Sequence, residues 1–455
     1  MIIYSHTLTP RLQYIVDFLS QYYNTTIRLI CDETKYLANP DPHRVNYSYH
    51  RLANNEVWIH SHVLLFESTI RPVKVECFNH HGYKAFFKTE GDAGFDLFAG
   101  IFYLITRYEE YLPHQKDMYG RYAHQNSLAF KEGFLHLPLI NIWLEDFRAL
   151  LQERFPELQL PTSNFTLQTT YDIDIAWSFR NKGFRRNAGA IAKAFFSGKW
   201  KSMVHRIKVI RGRRQDPFDA YEWMEELHQK NGLDPIYFFL VADQKGKFDR
   251  NIDIKNSSFQ HLVKSIASTY QTGLHPSWAS GDHPQLIKKE KAWLEKTTEQ
   301  SIKSSRQHYI RFTLPSTYRQ LLNAEILDDY SMGYGSINGF RASVATSFFW
   351  YDLKNDIKSP LRVHPFCFMD ANAFFEEKKS PAEAFNDLMH YHDAVRSVGG
   401  TMITIWHNPF LGTDPLFEGW KETYEQFINV AKRDGVQTTY QIATGSKEAV
   451  NRLIS

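Results

Sequence analysis

Four short segments carry the residues able to bind a metal or move a proton. They are TTYDID (residues 169–174), GLHPSW (273–278), SRQHYIRF (305–312) and TIWHN (404–408). Asp172 and Asp174 lie two apart at the end of an apolar run, so on a strand both side chains face the same side. One carboxylate can ligate a metal while the other takes a proton from water, and a bound dication relieves their mutual repulsion. Taken alone, such a pair is more often explained by capping and salt bridges. His275 stands before Pro276, which ends the run, and neutral imidazole is the commonest protein metal ligand near neutral pH. Arg306 and His308 share a face if their segment is a strand, and Arg306 then holds a catalytic carboxylate ionised by pairing with it. His308 is favoured as a ligand over His283, which sits at the start of a helix where capping accounts for it.

His407 closes another apolar run. A histidine there can protonate a leaving group, a contribution of ~10²–10⁴-fold. Asn408 can hydrogen-bond substrate or form a turn with Pro409. Asp370, at the end of HPFCFMD, can orient His407. Arg341, in GFRAS, can bind substrate or pair with Asp370, and a purely structural ion pair explains either residue as well.

These residues need elements that converge. Strand-like runs at 165–173, 235–241, 272–275, 306–312, 362–369, 402–406 and 438–442 alternate with helical patterns at 259–270, 284–297, 315–325, 381–398 and 420–434. That rhythm predicts a parallel sheet or a (β/α) barrel. Right-handed crossovers place all the strand C-termini on one face, and the four segments end there.

The 455 residues favour two domains. Residues 1–160 predict a smaller α/β domain: strands at 1–6 and 26–32, a helix at 10–23, β-rich stretches at 47–66 and 73–87, and a helix at 95–112. No catalytic pattern shows in this part, and Asp96, Arg107, Glu109 and Glu110 are expected to be helix-face charges and ion pairs. Residues 161–455 are expected to hold the barrel.

Between residues 180 and 214 there are twelve basic residues and no acidic one, against an overall charge of +3. Ala192, Phe196, Trp200, Met203, Ile207 and Ile210 recur at three- and four-residue steps, the pattern of an apolar stripe on a basic helix. Such a helix suits an anionic membrane surface or a polyanionic ligand; a helix packed on the barrel with a solvated basic face explains it equally. Nucleic acid is not expected as a partner, because no nucleic-acid motif accompanies the charge.

Three cysteines without a CxxC exclude a cysteine-built zinc site and argue against a disulfide framework. The N-terminus lacks the pattern of a signal peptide, and no run reaches the ~18 apolar residues of a membrane span. The expected location is cytoplasmic, with peripheral contact at the inner face of the membrane through 180–214.

In chain order, the segments resemble the polysaccharide deacetylase family, metal-dependent carbohydrate esterases that remove N- or O-acetyl groups from glycans on a distorted (β/α)7 barrel. Residues Thr170-Tyr171-Asp172-Ile173-Asp174 are similar to the family's T-F-D-D-G motif with one residue inserted. His275 matches the first histidine of H-[ST]-x-x-H, but Ala279 stands at the second, and His283 resembles that motif's end after an insertion. Arg306-Gln307-His308-Tyr309 resembles R-x-P-Y with histidine in place of proline. The resemblance, over about 165–445, implies Asp172 as general base and His407 as general acid. Arg306 would orient the base, and the Tyr309 N–H would stabilise the oxyanion. A divalent metal, zinc, would be held by Asp174, His275 and His308, with His283 as the alternative ligand. The family's acid-rich motif is best matched at Asp370. The implied substrate is an acetylated glycan or a lipid- or nucleotide-linked sugar. Two rivals stand beside it: a non-catalytic glycan-binding barrel, supported by Ala279, and a glycosidase using Asp172 or Asp174 with Asp370.

Overall fold

The computed structural model describes residues 1–243 and 246–433. It is a mixed α/β protein. The first part builds a four-stranded parallel sheet from β1 (Ile2–Tyr4), β2 (Arg28–Ile30), β3 (Arg44–Ser48) and β4 (Val57–His60), in the order β2-β1-β3-β4. Helix Pro10–Tyr22 crosses between β1 and β2; Thr9 caps it by accepting from the Leu12 N–H, and Pro10 takes its first turn. A short hairpin of β5 (Phe78–His80) and β6 (Tyr83–Ala85) precedes helices Leu97–Ile105 and Leu139–Arg154.

The second part is one nine-stranded sheet. Its strands are β7 (Thr166–Ile173), β8 (Ile236–Leu240), β9 (Gln271–His275), β10 (Ser304–Ser305), β11 (Asp328–Asp329), β12 (Phe348–Asp352), β13 (Ile357–Val363), β14 (Phe368–Met369) and β15 (Thr401–His407). The order is β12-β13-β11-β10-β9-β8-β7-β15-β14. Every neighbouring pair from β13 to β14 is parallel, and β12 lies antiparallel on β13. All eight residues of β7 are buried, as expected of a parallel strand covered on both faces. Helices Tyr221–Asn231, Ser257–Ala267, Gln285–Thr298, Ser316–Asn323, Pro381–Ser397 and Trp420–Arg433 alternate with the strands.

Among the described residues no strand pairing joins β14 back to β12 or β13, so hydrogen bonds do not close the expected barrel. The two margins are nonetheless near each other. Only residues 364–367 separate Val363 of β13 from Phe368 of β14, and five extended residues span at most about 18 Å. The sheet is therefore strongly curled.

Three expectations on elements are corrected. Residues 306–312 are not a strand: the ladder stops at Ser305, and Tyr309 and Ile310 adopt left-handed backbone with φ 58° and 54°. The run 362–369 is divided between two strands, β13 ending at Val363 beside β11 and β14 beginning at Phe368 beside β15. The single basic helix is a hairpin of helices Phe184–Phe196 and Trp200–Ile210, broken where Gly198 takes φ 67°. The expected strand at 438–442 lies outside the described residues.

One continuous apolar core runs through both parts, from Ile15 and Phe102 to Tyr351 and Trp406. Tyr14 donates to the Phe349 carbonyl at 2.7 Å, and the buried Arg11 pairs with Asp356 at 3.0 Å. The first part is thus packed directly on the β12–β13 margin. Cys31, Cys77 and Cys367 are free thiols.

Candidate active site

The C-terminal ends of β7, β9 and β15 and the loop after β10 bring the candidate residues to one cavity of about 560 Å³. Asp172 and His407 are register partners on the neighbouring strands β7 and β15. His275 closes β9, and Asp174 sits one residue beyond β7.

Asp174, His275 and His308 converge, with one donor atom from each lying within 4.8 Å of the others. His275 Nε2 is 3.1 Å from Asp174 Oδ1, and His308 Nε2 is 3.5 Å from Oδ2. Both rings are fixed from behind. His275 Nδ1 lies 2.6 Å from the Arg306 carbonyl oxygen, and His308 Nδ1 lies 3.1 Å from Asp249 Oδ1. Those acceptors place the ring proton on Nδ1 and leave the Nε2 lone pair facing Asp174. In that tautomer Asp174 Oδ1 receives no hydrogen bond although it is buried. Ligands in a tetrahedron around zinc, at ~2.0–2.2 Å from the ion, sit roughly 3.3–3.6 Å apart. Two imidazoles and a carboxylate at these separations fit a divalent cation, with room toward the cavity for further ligands.

The acids and imidazoles of the cluster shift one another's protonation. Burial alone would lower the His308 pKa, but Asp174 and Asp249 outweigh it and push it up to about 9. Burial works in the opposite direction on Asp174, and the His308 and His275 rings overcome it to hold the carboxyl well below its usual range. A metal and a proton therefore compete for His308.

Asp172 lies beside this cluster, buried, with Oδ2 3.9 Å from His275 Nε2. Arg306 Nη1 donates to its Oδ1 at 2.7 Å. The Arg306 Nε donates to the Tyr330 carbonyl at 3.0 Å, and its guanidinium stacks 4.4 Å above the Phe238 ring. That ring has room because β9 carries Gly273 opposite it; a Cβ there would overlap Phe238. So a glycine on one strand seats the ring that seats the arginine.

On the other side, His407 Nδ1 lies 2.6 Å from Asp370 Oδ1, and its backbone N–H donates to Oδ2 at 2.7 Å. Burial opposes protonation of His407, yet Asp370 outweighs it and raises the pKa to about 10. The free Nε2 faces the cluster, 3.7 Å from Asp174 Oδ2. Asp370 is fully buried and both its oxygens are committed to His407, so it offers no second carboxylate to the cavity. This removes the pairing a glycosidase would need.

Three further candidate residues stand apart from the ligand cluster and the cavity. His283 is exposed ahead of helix Gln285–Thr298 and lies outside the cluster. Arg341 does not pair with Asp370 and does not reach the cavity. It is buried, its Nε and Nη2 donate to Glu110 at 2.8 and 2.6 Å, and its Nη1 donates to the Gly333 carbonyl. Asn408 is buried too; its amide donates to the Phe218 and Ile175 carbonyls and ties together the loops after β7 and before helix Tyr221–Asn231. Tyr309, in contrast, lines the cavity.

Sequence reasoning missed Asp249, which fixes His308 and also accepts the Trp278 N–H at 2.8 Å. Its one signal was an acid in the loop following a buried strand. It also missed that the first part of the chain reaches the site. Arg121 Nη1 donates to the Tyr309 carbonyl at 2.7 Å and supports the left-handed turn beside His308, a conformation that costs ~1–3 kcal/mol per residue. Tyr119 lines the cavity with its ring 5.4 Å from that of Tyr309. Phe375, Phe410 and Phe417 form an opposing aromatic wall.

A family model matches residues 1–156, and that family, DUF7033, is one of unknown function. No curated protein matches the chain. Among solved structures, a protein of Mycobacterium smegmatis assigned as a polysaccharide deacetylase is similar at 14% identity and a TM-score of 0.40, over 64% of this chain and 93% of that one. A CE4 family pseudoenzyme from Bacillus anthracis is similar at 10% identity and 0.31, over 61% and 63%. The polysaccharide deacetylase Bc1974 from Bacillus cereus is similar at 9% and 0.30, over 58% and 87%.

Proposed function

We propose that this protein is a metal-dependent hydrolase that removes N- or O-acetyl groups from a glycan or glycan intermediate, in the manner of the polysaccharide deacetylases. The observation that carries this reading is the opposed pair of held groups around one ligand cluster. Arg306 holds Asp172 on one side, Asp370 holds His407 on the other, and Asp174, His275 and His308 lie between.

Asp174, His275 and His308 would hold a divalent ion, zinc by its donor set. When bound, the ion supplies Lewis acidity toward an acyl carbonyl and makes a water easier to deprotonate. Asp172, held in place by the charge-assisted bond from Arg306, takes the proton of the attacking water. The bidentate hold of Asp370 keeps His407 as an imidazolium whose Nε2–H points into the cavity, ready to protonate the departing amine or hydroxyl. Tyr309 offers its backbone to the oxyanion. Tyr119 and the phenylalanine wall supply flat apolar faces of the kind that stack on sugar rings. His308 fills the role that a histidine at position 279 would have had.

The decisive assay is acetate release from N-acetylated and O-acetylated oligosaccharides by the full-length protein. Release that a chelator abolishes and zinc restores supports the proposal. Metal binding without release from any acetylated glycan favours the glycan-binding alternative.

A further inference from the structure

The helical hairpin of residues 184–210 is where hydrophobicity and charge are both exposed. Phe184 is 87% and Phe196 85% solvent-exposed, and Trp200, Phe195, Val204 and Ile210 are each more than 40% exposed. The two helices meet along an apolar trough of about 710 Å³ that includes Ile191, Phe195, Phe196 and Met203. Contiguous apolar surface of this kind marks a place where something docks. Lys193, Lys199, Lys201 and Lys208 are exposed on the same hairpin, followed by Arg211, Arg213 and Arg214.

The segment contains no carboxylate of its own. The acids nearest in sequence are already used: Asp216 accepts the backbone N–H groups of Ser178, Phe179 and Arg180, and Asp219 pairs with Arg180 at 3.2 Å. The exposed lysines are thus a net positive field around exposed aromatic rings. Aromatic residues set among lysines suit the interface of an anionic bilayer, where rings enter the headgroup boundary and ammonium groups meet phosphates. No helix among the described residues is long and apolar enough to cross a membrane, so the fitting mode is surface attachment.

We propose that this hairpin docks the protein on an anionic lipid surface. The root of the hairpin lies against the catalytic cluster. A cavity of about 670 Å³ there is bounded by Lys182, Arg186, Arg250 and Asp249, and Asp249 is the residue that holds His308. Docking through the hairpin brings the candidate active site near the headgroup layer, where a lipid-linked sugar would present its glycan. The docking itself stands whatever reaction the cavity performs.

The test is co-sedimentation of full-length protein with phosphatidylcholine vesicles, with and without phosphatidylglycerol, at low and high salt. The variants are Phe196→Ser with Trp200→Ser, and separately Lys193→Gln, Lys199→Gln, Lys201→Gln and Lys208→Gln together. Circular dichroism and sedimentation velocity are run on each. The proposal expects binding only to the anionic vesicles, weakened by salt, and reduced by about tenfold or more in either variant. Two results overturn it: equal or absent binding to both vesicle types by the wild type, or a wild-type dimer that the serine variant converts to monomer without any vesicle binding, which would make the hairpin an interface between copies of the chain.

Discussion

The Arg306 guanidinium donates to Asp172 Oδ1 at 2.7 Å across 134 residues of sequence, and both groups are almost completely buried. A pair this deep needs more than its own attraction, and the Tyr330 carbonyl and the Phe238 ring supply it. If Asp172 is the general base, Arg306→Gln leaves the three ligand residues in place and costs ~10²–10⁴-fold in kcat. Acetate-release kinetics together with metal content check this. Unchanged kcat would remove Asp172 from the mechanism, and loss of metal would reassign Arg306 to the ligand cluster.

Asp249 acts through His308. Asp249→Asn weakens the acceptor behind Nδ1 and is expected to lower metal affinity by ~10–100-fold with little loss of fold. Competition with a chelating dye measures it. Undiminished affinity would mean that His308 is not a ligand.

Glu110 sits between two buried guanidiniums, Arg107 and Arg341, and although burial opposes it, their charges hold its carboxyl down at about 2. Glu110→Ala leaves the buried Arg341 without its carboxylate and Arg107 with Glu109 alone, and is expected to cost about 3–5 kcal/mol of stability, read as a lowered Tm. A near-neutral result would contradict a stabilising role for this buried charge cluster.

Asp96 caps helix Leu97–Ile105 by accepting from the Ala99 N–H, and also accepts from Tyr47 and the His62 N–H. Burial raises its pKa from 3.8 to about 6. The folded state then binds the Asp96 proton more tightly than the unfolded chain does. The resulting stability is fully present below pH ~4 and is lost as pH rises to about 6. Asp96→Asn removes this slope. The wild-type advantage over the variant should shrink by up to about 3 kcal/mol across that window in denaturant melts. A constant difference would contradict it.

The parts of this architecture that the sequence shows are those written locally. β7 and β15 are unbroken apolar runs, and each ends on the residue that the site uses, Asp172 and His407. The loop after β10 was illegible as such, since nothing in RQHYI announces a left-handed turn at Tyr309 and Ile310. Its support comes from Arg121, 188 residues earlier. The partner of Arg341 is illegible for the same reason: Glu110 lies 231 residues away, and no spacing rule links them. Even so, His308 reaches Asp174 from that turn as it would have from a strand, because a single direction of approach was needed and two backbones provide it.

The proposed hydrolysis requires Asp174, His275 and His308 to hold one divalent ion. That requirement is tested most directly by elemental analysis of purified wild type beside His308→Ala and His283→Ala, each loaded with zinc and then desalted. About one zinc per chain in wild type and His283→Ala, lost in His308→Ala, is the predicted result. A wild type that retains none, or a His308→Ala variant that retains as much as wild type, would contradict it.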